Sequence, residues 1–249
     1  MLEYRFDSEI SLRNACLAAE LTDVTKIELN GTEVPLNVIG KYVDDAISKI
    51  ALPNVGRGEN ALRLYLSYNS QSSVENIMLL GDFGTKKQKI TEGEKGAIVA
   101  KKEELPWGRI DELGYTFYGG NPTYVTKINV NHGGNLRLKA PYFKGNLIEI
   151  AVDGQPEGKI LYAPYVAELG KVAAGEHELR LTLYGNRFNT FGQLHNTTSV
   201  PWDGTYAWRT DGKEWSYDLL TRPVGIMRAP TYEIYAAENS TERGGKEEK

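Results

Sequence analysis

Residues 184–196 read YGNRFNTFGQLHN. Arg187, Asn189, Gln193, His195 and Asn196 bring donors and acceptors together in one short run. Hydroxyl-rich ligands need both kinds of group. Thr197–Val200 then leads into PWDGTYAWRTDGKEWSY, in which Trp202, Trp208 and Trp215 fall with Tyr206 and Tyr217, in a chain with only four Trp. Flat rings such as Trp202 and Trp208 can stack on an apolar face of a ligand. The two stretches are separated by so few residues that they are expected at one rim, since short connections keep consecutive segments adjacent. A second reading stays open. The polar side chains can instead satisfy the backbone of their own loop, and the aromatic rings can pack beneath the Trp-Asp-Gly and Thr-Asp-Gly turns. An exposed aromatic patch separates the two readings.

Hydrolysis of a glycosidic bond would need two carboxylates about 5–10 Å apart, one with a raised pKa. Asp203, Asp211, Glu214 and Asp218 lie near the Trp residues, but spacing identifies no pair, and no catalytic residue is assigned. His132, His177 and His195 are far apart along the chain, without metal-ligand spacing. No dense Asp/Asn loop suggests calcium. Neither a Gly-x-Ser-x-Gly elbow nor a phosphate-binding glycine loop occurs. The expected metal and cofactor sets are therefore empty. Cys16 is the single cysteine; it forms no internal disulfide and reads as a small buried hydrophobe.

The elements that would position these residues show by alternation. In NALRLYLSY, Leu62, Leu64 and Leu66 face one way and Arg63 and Tyr65 the other. Leu179, Leu181 and Leu183 do the same in HELRLTLYG. Period two predicts half-buried strands. KIELNGTEV and LIEIAVDGQ each place Asn-Gly or Asp-Gly after an alternating run, which predicts tight hairpins. KIELNG, KYVDDAISKI and GRGENALRLYL recur in order as EIAVDG, APYVAELGKV and AAGEHELRLTL. That order predicts a duplicated unit. KYVDDAISKI and YVAELGKV also fit a short helix. A strand–helix–strand rhythm is missing, so the fold class is all-β, with two tandem antiparallel sandwiches.

Length and composition agree. The 249 residues suffice for two domains, and 15 Tyr and 26 Gly suit β structure. A net charge of −4 gives no reason to expect nucleic acid or an anionic membrane. No apolar run is long enough to span a bilayer.

At this point the motifs resemble a known family. ELNGTEV followed by GRGENALRLYLSY is similar to the galactose-binding-like jelly-roll domains attached to bacterial glycoside hydrolases, including the family 2 sugar-binding domain and α-L-rhamnosidase-like proteins. VENIMLLGDFGTK resembles the exit from a first such domain, and GYTFYGGNPTYVTKINV the opening of the next. YGNRFNTFGQLHN resembles the exit strand and loop of that second domain, and LTRPVGIMRAPTYEI its last strands. The resemblance implies domains at residues 1–105 and 106–237, with a polar tail at 238–249. It implies a non-catalytic accessory region, C-terminal in its parent enzyme, whose partners are a glycan and the catalytic domain of the same chain. A purely structural docking module and a small glycosidase using the acids near the Trp residues remain the alternatives. The candidate contacts are Arg187, Asn189, Gln193, His195, Asn196, Trp202 and Trp208, on a rim of the second sandwich. MLEYRFDSEI has no basic or apolar leader pattern, which points to the cytoplasm if Met1 is the native start.

Overall fold

The computed structural model describes residues 1–69, 72, 76–202 and 209–236. The chain forms two compact units, both discontinuous. Unit 1 comprises Met1–Gly119 and Arg187–Pro223; unit 2 comprises Gly120–Asn186 and the chain from Val224 on. The chain thus passes between units after residues 119, 186 and 223, where the sequence pattern suggested one passage near 105.

Unit 1 contains β1 (Leu2–Ser8), β2 (Cys16–Glu20), β3 (Val24–Leu29), β4 (Thr32–Val34), β5 (Val38–Tyr42), β6 (Asp44–Ala51), β7 (Gly58–Leu66), β8 (Met78–Leu80), β9 (Gly84–Lys89) and β10 (Glu94–Val99). One sheet runs β4-β3-β7-β1-β10-β9 and the other β5-β6-β2-β8. All pairings are antiparallel except β1 with β10. Leu17 and Ile50 from the second sheet join Ile27, Leu29, Leu62 and Leu64 from the first in one apolar core. This is a β-sandwich. Leu62 and Leu64 are buried and Leu66 is half-buried, as the alternation requires. Cys16 is only half-buried, because it opens β2 at the margin of its sheet.

Unit 2 contains β11 (Thr123–Val130), β12 (Gly134–Lys139), β13 (Phe143–Lys144), β14 (Leu147–Val152), β15 (Gln155–Ile160), β16 (Val166–Val172), β17 (Gly175–Tyr184), β18 (Gly225–Ile226) and β19 (Thr231–Tyr235). Its sheets run β15-β14-β17-β11 and β16-β12-β19, with β13 and β18 as a two-stranded ribbon. Leu179, Leu181 and Leu183 are all buried.

The two units repeat one plan. β4-β3-β7-β1 matches β15-β14-β17-β11, and β6-β2-β8 matches β16-β12-β19. The register matches as well. Leu29 faces Leu62 and Ile27 faces Leu64; Val152 faces Leu179 and Ile150 faces Leu181. Leu64 and Leu181 therefore hold equivalent positions. Both hairpins turn on two residues with positive φ, Asn30 (51°) with Gly31 (81°) and Asp153 (49°) with Gly154 (79°). These values suit the twist of the flanking strands. The two segments that also fit a helix are strands: KYVDDAISKI spans β5 and β6, and YVAELGKV is β16. Each is short, and pairing with β2 or β12 satisfies its backbone. Among the described residues no helix is long and apolar enough to cross a membrane.

Candidate functional site

The segment Arg187–Pro223 packs within unit 1, not on the sandwich whose last long strand delivers it. Hydrogen bonds and ion pairs to the β9–β10 hairpin explain the placement. Glu94 N donates to Tyr217 O (2.9 Å), and Leu219 N donates to Glu94 Oε2 (3.1 Å). Lys89 bridges Glu94 (3.1 Å) and Asp218 (3.0 Å). Burial works to raise the Glu94 carboxyl, but the Lys89 hydrogen bond, the Lys87 charge and the Leu219 N–H together hold it below the usual range. The β9–β10 hairpin thus grips the end of the segment. At its start, α1 (Phe188–Phe191) is anchored by Thr190 Oγ1 donating to Phe117 O (2.8 Å).

The middle of the segment carries a column of flat groups. His195 stacks on Trp215 at 4.2 Å and 15°, and Trp215 stacks on Trp202 at 5.9 Å and 13°. The Arg209 guanidinium caps Trp202 at 5.0 Å and pairs with Glu214. Tyr217 meets the edge of Trp215 and is itself 53% exposed. Trp202, expected on an exposed rim, is 8% exposed. The reason is that Trp215 and Arg209 stack against it. The indole N–H groups of Trp202 and Trp215 are buried without a partner among the described residues. An unpaired buried donor of this kind costs about 1–3 kcal/mol.

The polar residues divide by what they bond. Gln193 clamps the backbone of Trp202: its Nε2 donates to Trp202 O, and its Oε1 accepts Trp202 N–H at 2.8 Å. Asn196 donates to Val200 O (2.7 Å) and accepts Thr198 N–H (2.9 Å). Asn189, buried inside unit 1, brackets the Arg222 backbone with two bonds of 2.8 Å. All three therefore hold loop backbone in place. His195 Nδ1 donates to Ser216 O (2.7 Å), which leaves Nε2 for another partner. Arg187 is exposed and forms no ion pair among the described residues. Trp208 and Asp203 lie outside the described residues.

Two of the acids near the Trp residues are neutralised by cations, Glu214 by Arg209 and Asp218 by Lys89. Among the described residues every carboxylate with a displaced pKa is displaced downward, as for Glu3 under Arg63 and Glu149 under Lys159. Among the described residues no cluster of His, Cys, Asp and Glu could hold a metal ion.

Sequence reasoning missed a polar lock at each hairpin. Asn30 Oδ1 accepts Ala61 N–H (2.8 Å) and Asn30 Nδ2 donates to Asn60 Oδ1 (2.8 Å). In unit 2, Asp153 Oδ1 accepts Glu178 N–H (2.9 Å) and Asp153 Oδ2 meets His177 Nδ1 (2.7 Å). The signal was present, since GENA and GEHE occupy the same column of the repeat.

No family model matches this chain, and no curated protein matches it. Solved structures do. A rhamnosidase from Novosphingobium sp. PP1Y aligns over 92% of this chain and 22% of its own, at 16% identity and a TM-score of 0.37. A GH2 β-galacturonidase from Eisenbergiella tayi, bound to galacturonate, aligns over 61% of this chain and 23% of its own, at 18% identity and a TM-score of 0.31. The chain thus spans less than a quarter of either structure.

Proposed function

We propose that this chain is a non-catalytic accessory region of a glycoside hydrolase, built from two galactose-binding-like sandwiches. The observation that carries the reading is the repeat. The motifs that resemble that family, ELNGTEV and GRGENALRLYL, form β3, β4 and β7 in unit 1, and their counterparts form β14, β15 and β17 in the same register. The ion pairs of Glu214 with Arg209 and of Asp218 with Lys89 favour a non-catalytic role, because both carboxylates are already engaged by cations of the same unit. In this reading Gln193, Asn196 and Asn189 shape the loop, and Trp202 and Trp215 support it. Arg187, His195 and the exposed Tyr217 face the ligand. The purely structural alternative draws on the same geometry, since most of the polar loop is spent on its own backbone.

Titrating a panel of neutral oligosaccharides while recording tryptophan fluorescence tests the recognition role. The expected result is a saturable change at about millimolar sugar, near −4 kcal/mol. A flat response to every sugar would favour the docking role. Turnover of aryl glycosides by the isolated chain, abolished by Glu214→Gln, would overturn the non-catalytic assignment.

A further inference from the structure

A second cluster in unit 1 lies at the start of the same segment. Tyr42, at the end of β5, stacks on Phe191 with ring centroids 6.3 Å apart. Tyr118 is 43% exposed and packs edge-on against Tyr115 at 5.9 Å. The Arg187 guanidinium and the Tyr118 phenol both lie close enough to act electrostatically on the Tyr42 hydroxyl. Arg222 lays its guanidinium on the Phe188 ring at 3.8 Å, and its backbone is fixed by the two Asn189 bonds. Arg187 and Arg222 are both exposed, and neither forms an ion pair among the described residues. In a chain with four more acidic than basic residues, two guanidiniums without an ion pair among the described residues, Arg187 at the start of α1 and Arg222 over its first ring, call for an explanation.

We propose that Arg187 and Arg222, with the phenols of Tyr42 and Tyr118, bind the carboxylate and neighbouring hydroxyls of a uronic acid residue in an acidic glycan. The inference rests on the carbohydrate reading above and narrows its substrate class. A guanidinium matches a carboxylate in a planar two-bond geometry that a neutral sugar cannot use. Phenols both donate to and accept from ring hydroxyls. The exposed Tyr118 ring offers a face for the sugar's C–H groups. The stacking of Arg222 on Phe188 holds that guanidinium in place before the ligand arrives.

The decisive experiment uses the full chain and calorimetric titration with an alginate hexasaccharide, with maltohexaose and with a sulfated hexasaccharide of similar length. Binding of the alginate hexamer is expected, weakening with added salt. Arg187→Gln should reduce its affinity about ten-fold, in line with a lost charge-assisted pair. Tyr118→Phe, which removes one oxygen and leaves the packing, should reduce it a few-fold. Affinity for maltohexaose should not change in either variant. Equal binding of the sulfated hexamer would replace the carboxylate preference with simple charge attraction and overturn the proposal. So would an alginate affinity unchanged in Arg187→Gln, or no alginate binding at millimolar ligand. Because the cluster contains no tryptophan, the fluorescence titration with neutral sugars stays a separate readout. Failure there with success here would move recognition from the Trp column to the arginines.

Discussion

The hairpins of the two units share a backbone and differ in chemistry. In unit 1 the lock is neutral. Asn60 is buried at the foot of β7; its Nδ2 donates to the carbonyls of Gly56 (2.9 Å) and Gly58 (3.0 Å), and its Oδ1 accepts Gly56 N–H (3.1 Å) and the Asn30 amide. In unit 2 the equivalent residue is His177, set between the Asp153 carboxylate and the carbonyl of Ala173 (3.0 Å). Ala173 stands four residues before His177, as Gly56 stands four before Asn60. Both partners of His177 only accept. A neutral imidazole has one N–H and can satisfy one of them; the imidazolium satisfies both. The Asp153 hydrogen bond and the Ala173 carbonyl accordingly raise the His177 pKa above 6.5, and the His177 and Glu178 donors lower that of Asp153 below 3.8. One fold has thus solved one geometric problem twice, once independently of pH and once not.

The largest effects come from breaking what the units share. Leu64→Ala and Leu181→Ala should each cost about 2–5 kcal/mol, because each opens a cavity at an equivalent buried position. Denaturant unfolding of the two variants checks this, and strongly unequal losses would weaken the equivalence. Next come the locks. Asn60→Ala leaves several buried polar groups unpaired and should cost about 1–3 kcal/mol. His177→Ala strips fewer partners from a more open site, and should cost less in the same assay. The subtlest effect concerns pH. A raised His177 contributes stability fully present below 6.5 and lost as pH climbs through its folded value. A lowered Asp153 contributes stability present above 3.8 and lost as pH falls through its folded value. Between those limits the unit 2 lock is complete. Asp153→Asn with His177→Asn copies the unit 1 lock and should flatten the melting temperature of unit 2 across pH 5–8. A wild-type profile that is already flat there would show that the imidazolium is not needed.

What the sequence disclosed follows the range of the interaction. The Asn-Gly and Asp-Gly hairpins were legible because the turn and its two strands are contiguous, and the leucine columns because period two is local. The strand nature of Val38–Ala51 was not decidable, since short amphipathic runs suit either structure until a partner strand appears. The parallel pairing of β1 with β10 and the return of Arg187–Pro223 to unit 1 depend on contacts about a hundred residues apart, which no local pattern encodes. The same applies to Trp202. Its type suggested a ligand platform, but stacking by Arg209 and Trp215 decided its burial. Gln193 and Asn196 were rightly singled out as polar, while their backbone partners could be seen only in three dimensions.

The three passages of the chain between units bear on how it comes apart. A protease that nicks the backbone at one passage, such as after Gly119, frees neither sandwich. Unit 1 would still contain Arg187–Pro223 from the other fragment, held through Glu94, Lys89 and Thr190. Unit 2 would remain whole on the second fragment, covalently tied to that strap. The nicked molecule should migrate as one species under native conditions and as two in denaturant. Such interlacing turns a single cleavage at a passage from a fatal event into a silent one.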